Sequence, residues 1–293
     1  MANKKRLSLL DAAVLALAAG GGAWLLHRAA SGLEYQWDWS FIPQYLLLET
    51  DSGWRPGLLS QGLLTTLRLS VFSGVLALVF GLAMGVARTS PRLFPRLCAA
   101  AYVGLVRNTP PLVLVFVFYY FLGDQLMTLI GMEDLIYGLS ESQRAWVGAI
   151  LGPARQVPAF LSAVLTLALF EGAYIAEIVR AGIESVERGQ WESSAALGFS
   201  RAGQLRHVVL PQALARMLPA LAGQLVSTIK DSAIVSVISI QELTFAGQEL
   251  MSATYRTFEI WITVLGLYFL LTFSLSLLVR RMETRLNKYR PAL

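Results

Sequence analysis

Four groups of polar side chains interrupt otherwise apolar stretches, and their types limit what they can do. Arg107 is followed by Asn108, Thr109 and the pair Pro110–Pro111. Glu171 shares a helical face with Tyr174 and Ile178. Gln224, Ser227 and Asp231 fall at i, i+3 and i+7, with Lys230 beside the last. Arg68 stands near one end of its apolar run. Ionisable groups in such surroundings are costly and mark binding sites or transfer pathways by default. The set has both signs: Glu171 and Asp231 suit an amino group or a cationic side chain, whereas Arg107 and Lys230 suit a carboxylate.

Each group also has a structural reading. The Asn-Thr-Pro-Pro break either frees backbone groups toward a cavity or is a kink with Arg107 at the level of the headgroups. Glu171 either holds a ligand or bonds a neighbouring helix. Lys230 and Asp231 either neutralise each other across subunits or line a pathway. Arg68 is read as snorkelling toward the nearer interface.

Chemistry of other kinds finds little support. The chain lacks a G-x-x-x-x-G-K-[ST] phosphate loop and an evident nucleophile, base and orienting partner. Its two histidines, His27 and His207, are far apart, and Cys98 is the single cysteine, so metal binding and an internal disulfide are not expected.

The elements that must position these residues are helices in a membrane. Of the 293 residues, 55% are hydrophobic and 15% charged, with mean hydropathy +0.56; a soluble domain carries about 25% charge. Six stretches reach the ~20 apolar residues of a span: 7–26, 58–87, 97–123, 157–179, 212–240 and 257–279. The first follows Lys4, Lys5 and Arg6 in the manner of a signal peptide, but it is long for one and no A-x-A site follows, so it is read as a retained helix. With the N-terminus in the cytoplasm, 16 of the 24 Lys and Arg residues fall on the cytoplasmic side, five outside and three within spans. That bias places both termini in the cytoplasm and accounts for the net charge of +5 without nucleic acid. Between the spans, 33–54 carries Trp37, Trp39 and Trp54 and reads as an amphipathic segment at the outer interface; 124–158 is a second outer loop. Gly81 and Gly85 form a G-x-x-x-G suited to close helix packing. Thr66, Ser70 and Ser73 share a face and either line a cavity or bond back to their own helix.

One polar stretch remains, "RGQWESSAALGFSRAGQLRHVVLPQA" from Arg188 to Ala213. Gln190–Leu197 reads as a short helix, Gly198 as its left-handed stop, and Ser200 as the cap of a second helix. Leu205, Val208 and Val209 share one face, while Gln204, Arg206 and His207 point away. Pro211 breaks or kinks the chain where it re-enters the membrane.

The spacing Glu192-Ser193-Ser194, Gly198, Val208, Leu210-Pro211 resembles the EAA loop of ABC-transporter permeases, with Ser for both Ala and Val for Ile. "GLLTTLRLS", "VRNTPPLVLVFVFYY", "EGAYIAEIVRAGIESVERGQ" and "IKDSAIVSVISIQEL" resemble the polar amino-acid uptake permeases, the His/Glu/Gln/Arg/opine group, over about residues 58–285. The resemblance implies an all-α polytopic membrane protein: a five-span permease domain at 58–285 with the EAA loop at 188–213, an N-terminal helix and periplasmic segment at 1–57, and a cytoplasmic tail at 286–293. It implies import of a polar or charged L-amino acid by alternating access across the bacterial inner membrane. No cofactor is expected on this chain; ATP and Mg are expected on a partner ATP-binding cassette ATPase dimer. The other implied partners are a second permease subunit, identical or a paralogue, and a substrate-binding protein. Gln190, Glu192, Ser193, Ser194, Ala195, Leu197, Gly198 and Ser200 would couple to the ATPase. Arg107, Asn108, Thr109, Glu171, Tyr174, Gln224, Ser227, Lys230 and Asp231 would line the substrate pathway. A stand-alone secondary transporter or channel is the alternative.

Overall fold

A computed structural model describes residues 9–32, 35–51 and 53–288 of the chain. Two compact units divide at Phe41 and Ile42. The first holds helix α1 (Leu9–Gly32) and a short aromatic stretch in which Trp37 and Trp39 stack at 5.9 Å. The apolar part of α1 is Ala13–Trp24, which is not among the five helices long and apolar enough to cross a membrane. Lys4, Lys5 and Arg6 lie outside the described residues.

The second unit opens with a short helix α2 (Ile42–Leu46) and an antiparallel hairpin, β1 (Leu47–Thr50) with β2 (Gly53–Pro56), pairing Leu48 with Arg55 and Glu49 with Trp54. The hairpin takes up the end of the aromatic 33–54 segment, and Leu47, Leu48 and Trp54 are exposed on it. The start of α3 (Leu58–Arg88) is tied back to α2, with Gly57 N–H and Ser60 Oγ both donating to Leu46 O.

Helix α3 packs along α9 (Val157–Glu184), the most deeply buried helix of the unit. The glycine pattern sets their distance: a Cβ on Gly81 would lie 2.6 Å from Ile175, and one on Gly85 would lie 2.5 Å from Val179. Such close approach maximises dispersion contact where lipid offers no hydrophobic drive. The expected hydroxyl face of α3 is buried. Ser70 and Ser73 donate to Thr66 O and Leu69 O of their own helix, while Thr66 bonds elsewhere, as described below.

The predicted third span at 97–123 is two elements. Helix α4 (Leu93–Asn108) ends at Thr109 and Pro110, which are extended, and α5 (Pro111–Val117) starts a new run. That run continues through a π-helical turn (Phe118–Gly123) into α6 (Asp124–Leu129). The span is therefore Pro111–Leu129. At 1.5 Å per residue α4 reaches only about 24 Å, short of a membrane core. The outer loop after it folds into α7 (Met132–Tyr137) and α8 (Glu141–Leu151), the latter opened by a Ser140–Gln143 capping box, and a single 3-10 turn (Ala154–Gln156) leads into α9.

After α9 come the hairpin helices α10 (Arg188–Ala196) and α11 (Arg201–Gln204). A π-helical turn (Leu205–Val209) joins α11 to α12 (Leu210–Asp231), and a 3-10 stretch (Ser232–Ile238) follows. The whole of Arg201–Ile238 is one span-length helical run. Pro211 does not break it. Pro211 lies in the first turn of α12, and the wider turn just before accommodates its missing N–H and its ring. The unit closes with α13 (Leu243–Thr254) and α14 (Thr257–Lys288), the outermost and least buried of the spans. The predicted tail at 286–293 begins inside α14, and Tyr289 onward lies outside the described residues.

Candidate functional site

Glu171 stands on the buried face of α9 with no solvent exposure. Its Oε2 accepts a 2.6 Å hydrogen bond from Gln224 Nε2 of α12. No donor meets Oε1 among the described residues. The Asp231 carboxyl and the Thr228 hydroxyl of α12 adjoin it, and Thr228 is committed to Gln224 O at 3.0 Å. The two predicted groups, Glu171 on one helix and Gln224 with Asp231 on another, thus form one cluster. Ser227 is half-buried on the same helix, and Lys230 is exposed. Oε1 is thereby an open acceptor beside the Asp231 carboxyl, able to take a hydrogen bond from a ligand or a neighbouring group.

One turn along α9, Tyr174 carries the Arg107 guanidinium over its ring at 5.9 Å. Arg107 also lies 3.6 Å from Glu177. Glu177 is a hub that sequence reasoning missed: Arg88 from the end of α3 and Arg180 from α9 both pair with it, and Arg180 pairs with Glu184 as well. The i,i+3 and i,i+4 spacing of Glu177, Arg180 and Glu184 was legible; the arrival of Arg88 and Arg107 from two other helices was not. At the break itself, Asn108 Nδ2 donates to Gly104 O and Thr109 Oγ1 to Leu105 O, each at 2.7 Å. These side chains fold back onto carbonyls of the last turns of α4, a local task that the expectation of freed backbone groups had not assigned them.

A second missed carboxylate, Glu242, caps α13. Its Oε1 accepts from Phe245 N–H, and its Oε2 accepts from Tyr268 and Thr66 at 2.6 and 3.2 Å. Thr66 in turn accepts from Leu243 N–H at 3.1 Å. Burial pushes the Glu242 carboxyl above the usual carboxylate range, against the opposing hydrogen bonds from Tyr268, the backbone of Thr244 and Phe245, and Thr66. The cluster pins α3, α13 and α14 together. Next to it an open cavity of about 270 Å³ lies between Arg68, Gln156, Gln241 and Glu249. Arg68 reaches to α8 of the outer loop, its Nη2 donating to Ala149 O at 3.0 Å.

The polar hairpin has the predicted corner. Gly198 takes φ +85°, and Phe199 N–H to Ser194 O with Gly198 N–H to Ala195 O make a Schellman motif. Ser200 caps α11 by accepting from Gly203 N–H at 3.3 Å. Arg201 lies 3.8 Å over the Trp191 ring, bracing the two arms. Ser194 is buried and donates to Trp191 O, and Gln190 accepts from Gln212 at 3.1 Å. Gln204, expected to point away, is buried: its amide donates to Phe199 O at 3.1 Å across the corner, a bond that offsets its desolvation. Glu192, Ser193, Ala195, Leu197 and Phe199 remain exposed, Leu197 by 78%.

A bundle of long apolar helices, a polar cluster held between two of them and a braced hairpin at one end define a multi-spanning membrane transport subunit. The chain belongs to the family described as binding-protein-dependent transport system inner membrane component, whose profile matches residues 77–288. It is 34% identical over 252 residues to the glutamine transport system permease protein GlnP of Escherichia coli (strain K12), covering 86% of this chain and 99% of that one. It is 35% identical over 225 residues to the nopaline transport system permease protein NocM of Agrobacterium fabrum, covering 77% and 86%. Among solved structures it is similar to an amino acid ABC transporter crystallised with histidines, with TM-score 0.61 and 33% identity over 78% of this chain and 94% of that one. The methionine ABC transporter MetNI in an inward-facing conformation shares the fold, with TM-score 0.56 and 21% identity over 78% and 95%.

Proposed function

We propose that this chain is the membrane-spanning subunit of an ATP-driven importer for polar or charged L-amino acids. It receives substrate from a binding protein and passes it inward by alternating access. The observation that carries the proposal is the continuous helical run from Arg201 to Ile238, which holds Pro219 within it. One end of that run is the second arm of the hairpin, and Gln224, about 35 Å along it, bonds Glu171 in the membrane. A force on the hairpin corner is thereby delivered to the polar cluster.

The corner is the docking point for a separate ATP-binding subunit. Leu197 and Phe199 offer apolar contact, and Glu192, exposed and unpartnered among the described residues, offers a charge-assisted bond to a basic residue of that subunit. The remaining residues of the stretch, Gln190, Ser193, Ser194, Ala195, Gly198 and Ser200, give the corner its shape. ATP and Mg bind on the partner, and this chain performs no hydrolysis. Two permease subunits, identical or paralogous, work with a pair of ATPases, and both termini of this chain face the cytoplasm.

In the membrane, Glu171 Oε1 is the acceptor for the substrate ammonium, and Arg107, with Asn108 and Thr109 at the α4 break, faces its carboxylate. Tyr174, Ser227, Lys230 and Asp231 complete the pathway. Selectivity for a zwitterion follows from two opposite charges held at a fixed separation. A stand-alone carrier or channel would have no use for a braced hairpin continuous with a span.

The test is co-purification with the ATP-binding subunit, followed by substrate-stimulated ATP hydrolysis in nanodiscs with the binding protein. Glu192→Lys is expected to weaken subunit pairing at least tenfold, the loss of one charge-assisted contact and its replacement by a repulsive one. Undiminished pairing and transport in that variant would overturn the coupling role.

A further inference from the structure

At the hairpin end of the bundle, two adjoining open cavities of about 310 and 410 Å³ share Thr89, Ser90, Trp191 and Arg201. Arg88 and Arg96 line the first and Arg92 the second. The single acid in the lining, Glu184, is already paired with Arg180, and Arg88 is paired with Glu177. Arg92 and Arg96 have no acidic partner among the described residues. The guanidinium of Arg201 is stacked on Trp191 and gives Nη1 to Gln204 Oε1 at 3.5 Å, leaving its other N–H groups to donate. The cleft therefore presents three guanidinium groups without an acidic partner, together with the Ser90 hydroxyl, around a space roomy enough for a phosphate headgroup.

We propose that this cleft binds the phosphate of an anionic phospholipid. The charge excess and the planar donor forks match phosphate oxygens. The choice of a lipid over a soluble phosphate rests on what surrounds the arginines. The cleft sits where the long apolar helix α3 ends at Arg88, the depth at which headgroups lie. Val86, Pro91, Pro95 and Leu205 form its apolar walls. On α4, Leu93, Phe94 and Leu97 are 59%, 80% and 55% exposed in the same turns as Arg92 and Arg96. A headgroup on the arginines would lay its acyl chains along these side chains, whereas a soluble anion would leave them bare.

The consequence concerns the hairpin. One wall of the cleft is the α3–α4 turn, and the other is Trp191, Arg201, Ala202 and Leu205 of the hairpin. A bound lipid bridges the two and holds the hairpin at the membrane surface.

The experiment uses the full chain in nanodiscs of phosphatidylethanolamine with graded phosphatidylglycerol, and native mass spectrometry of the lipids retained on release. Wild type is expected to retain phosphatidylglycerol preferentially. The double variant Arg92→Gln/Arg96→Gln is expected to lose that preference about tenfold, in line with the contribution of basic residues at an anionic surface. Arg280→Gln/Arg281→Gln, with equal loss of charge on exposed positions of α14, is expected to keep it. Ser90→Asp, which places an anion in the cleft without removing an arginine, is expected to reproduce the loss. Equal retention by all three variants, or equal loss in both arginine pairs, would overturn the site. Displacement of the retained lipid by millimolar inorganic phosphate would overturn the lipid in favour of a soluble anion.

Discussion

Glu171 shows how much a single buried oxygen decides. One of its two carboxyl oxygens has a donor and the other does not. Glu171→Gln keeps the volume and removes the charge, so the chain is expected to fold while uptake in proteoliposomes falls by at least tenfold, the loss of one charge-assisted contact to substrate. Gln224→Leu strips the remaining donor and is expected to lower stability by about 1–3 kcal/mol, read as a drop in unfolding temperature in detergent. Glu242 yields a pH dependence. Its folded-state pKa lies above the ordinary value of about 4.3, so the folded state holds that proton more tightly than the unfolded one. Its contribution to stability is full below the ordinary value and is lost as pH rises toward the raised one. Glu242→Gln is expected to flatten this part of the stability profile; an unchanged slope between pH 4 and 8 would contradict the assignment.

Among the elements, the α3–α9 contact depends most on what is missing from the sequence. Gly81 has no room for a Cβ because Ile175 and the Gly172 carbonyl stand 2.6 and 2.8 Å from where it would sit. Gly81→Leu is expected to separate the helices at a cost of about 1–3 kcal/mol or more, measured as reduced unfolding temperature and loss of monodisperse protein. Because Glu171, Tyr174 and Glu177 all project from α9, the same substitution is expected to disturb the polar cluster and the Arg88–Glu177 pair together. The hairpin is held differently. Its corner is set by backbone conformation at Gly198 and hydrogen bonds at Ser194 and Ser200, so it stays rigid while leaving its tip free to bind.

On the scale of the molecule, the proposed coupling makes α12 a lever. The hairpin, the π-helical turn and the span are one run, with no loop between Arg201 and Gln224 and with Pro219 inside the helix. Replacing Leu218 and Ala220, both exposed, by glycine introduces two flexible points at about 1 kcal/mol each. The expected result is preserved ATPase pairing with uptake reduced by an order of magnitude. Equal loss of pairing and uptake would instead mean that the helix is simply unfolded. In the lever reading the polar cluster lies between α9, the most deeply buried span, and α12, the element with a handle.

The membrane class, the spans read at 58–87 and 257–279 and the hairpin with its glycine corner were legible in the sequence, because each depends on local periodicity, composition or the backbone preference of one residue. Local signals were ambiguous where a helix could end in more than one way: Pro211 reads as a break or a kink and is absorbed by a π-helical turn, while the Asn-Thr-Pro-Pro stretch, which interrupts the predicted third span, divides a short helix from the span itself. Glu171 and Gln224 were picked out singly for their polarity in apolar runs. That they bond each other, 53 residues apart, and that Arg88 and Arg107 converge on Glu177, was decided only by tertiary packing. Side-chain type and spacing along one helix fix what a residue can offer, but its partner is set by the crossing of helices, which depends on contacts distributed over both of their lengths.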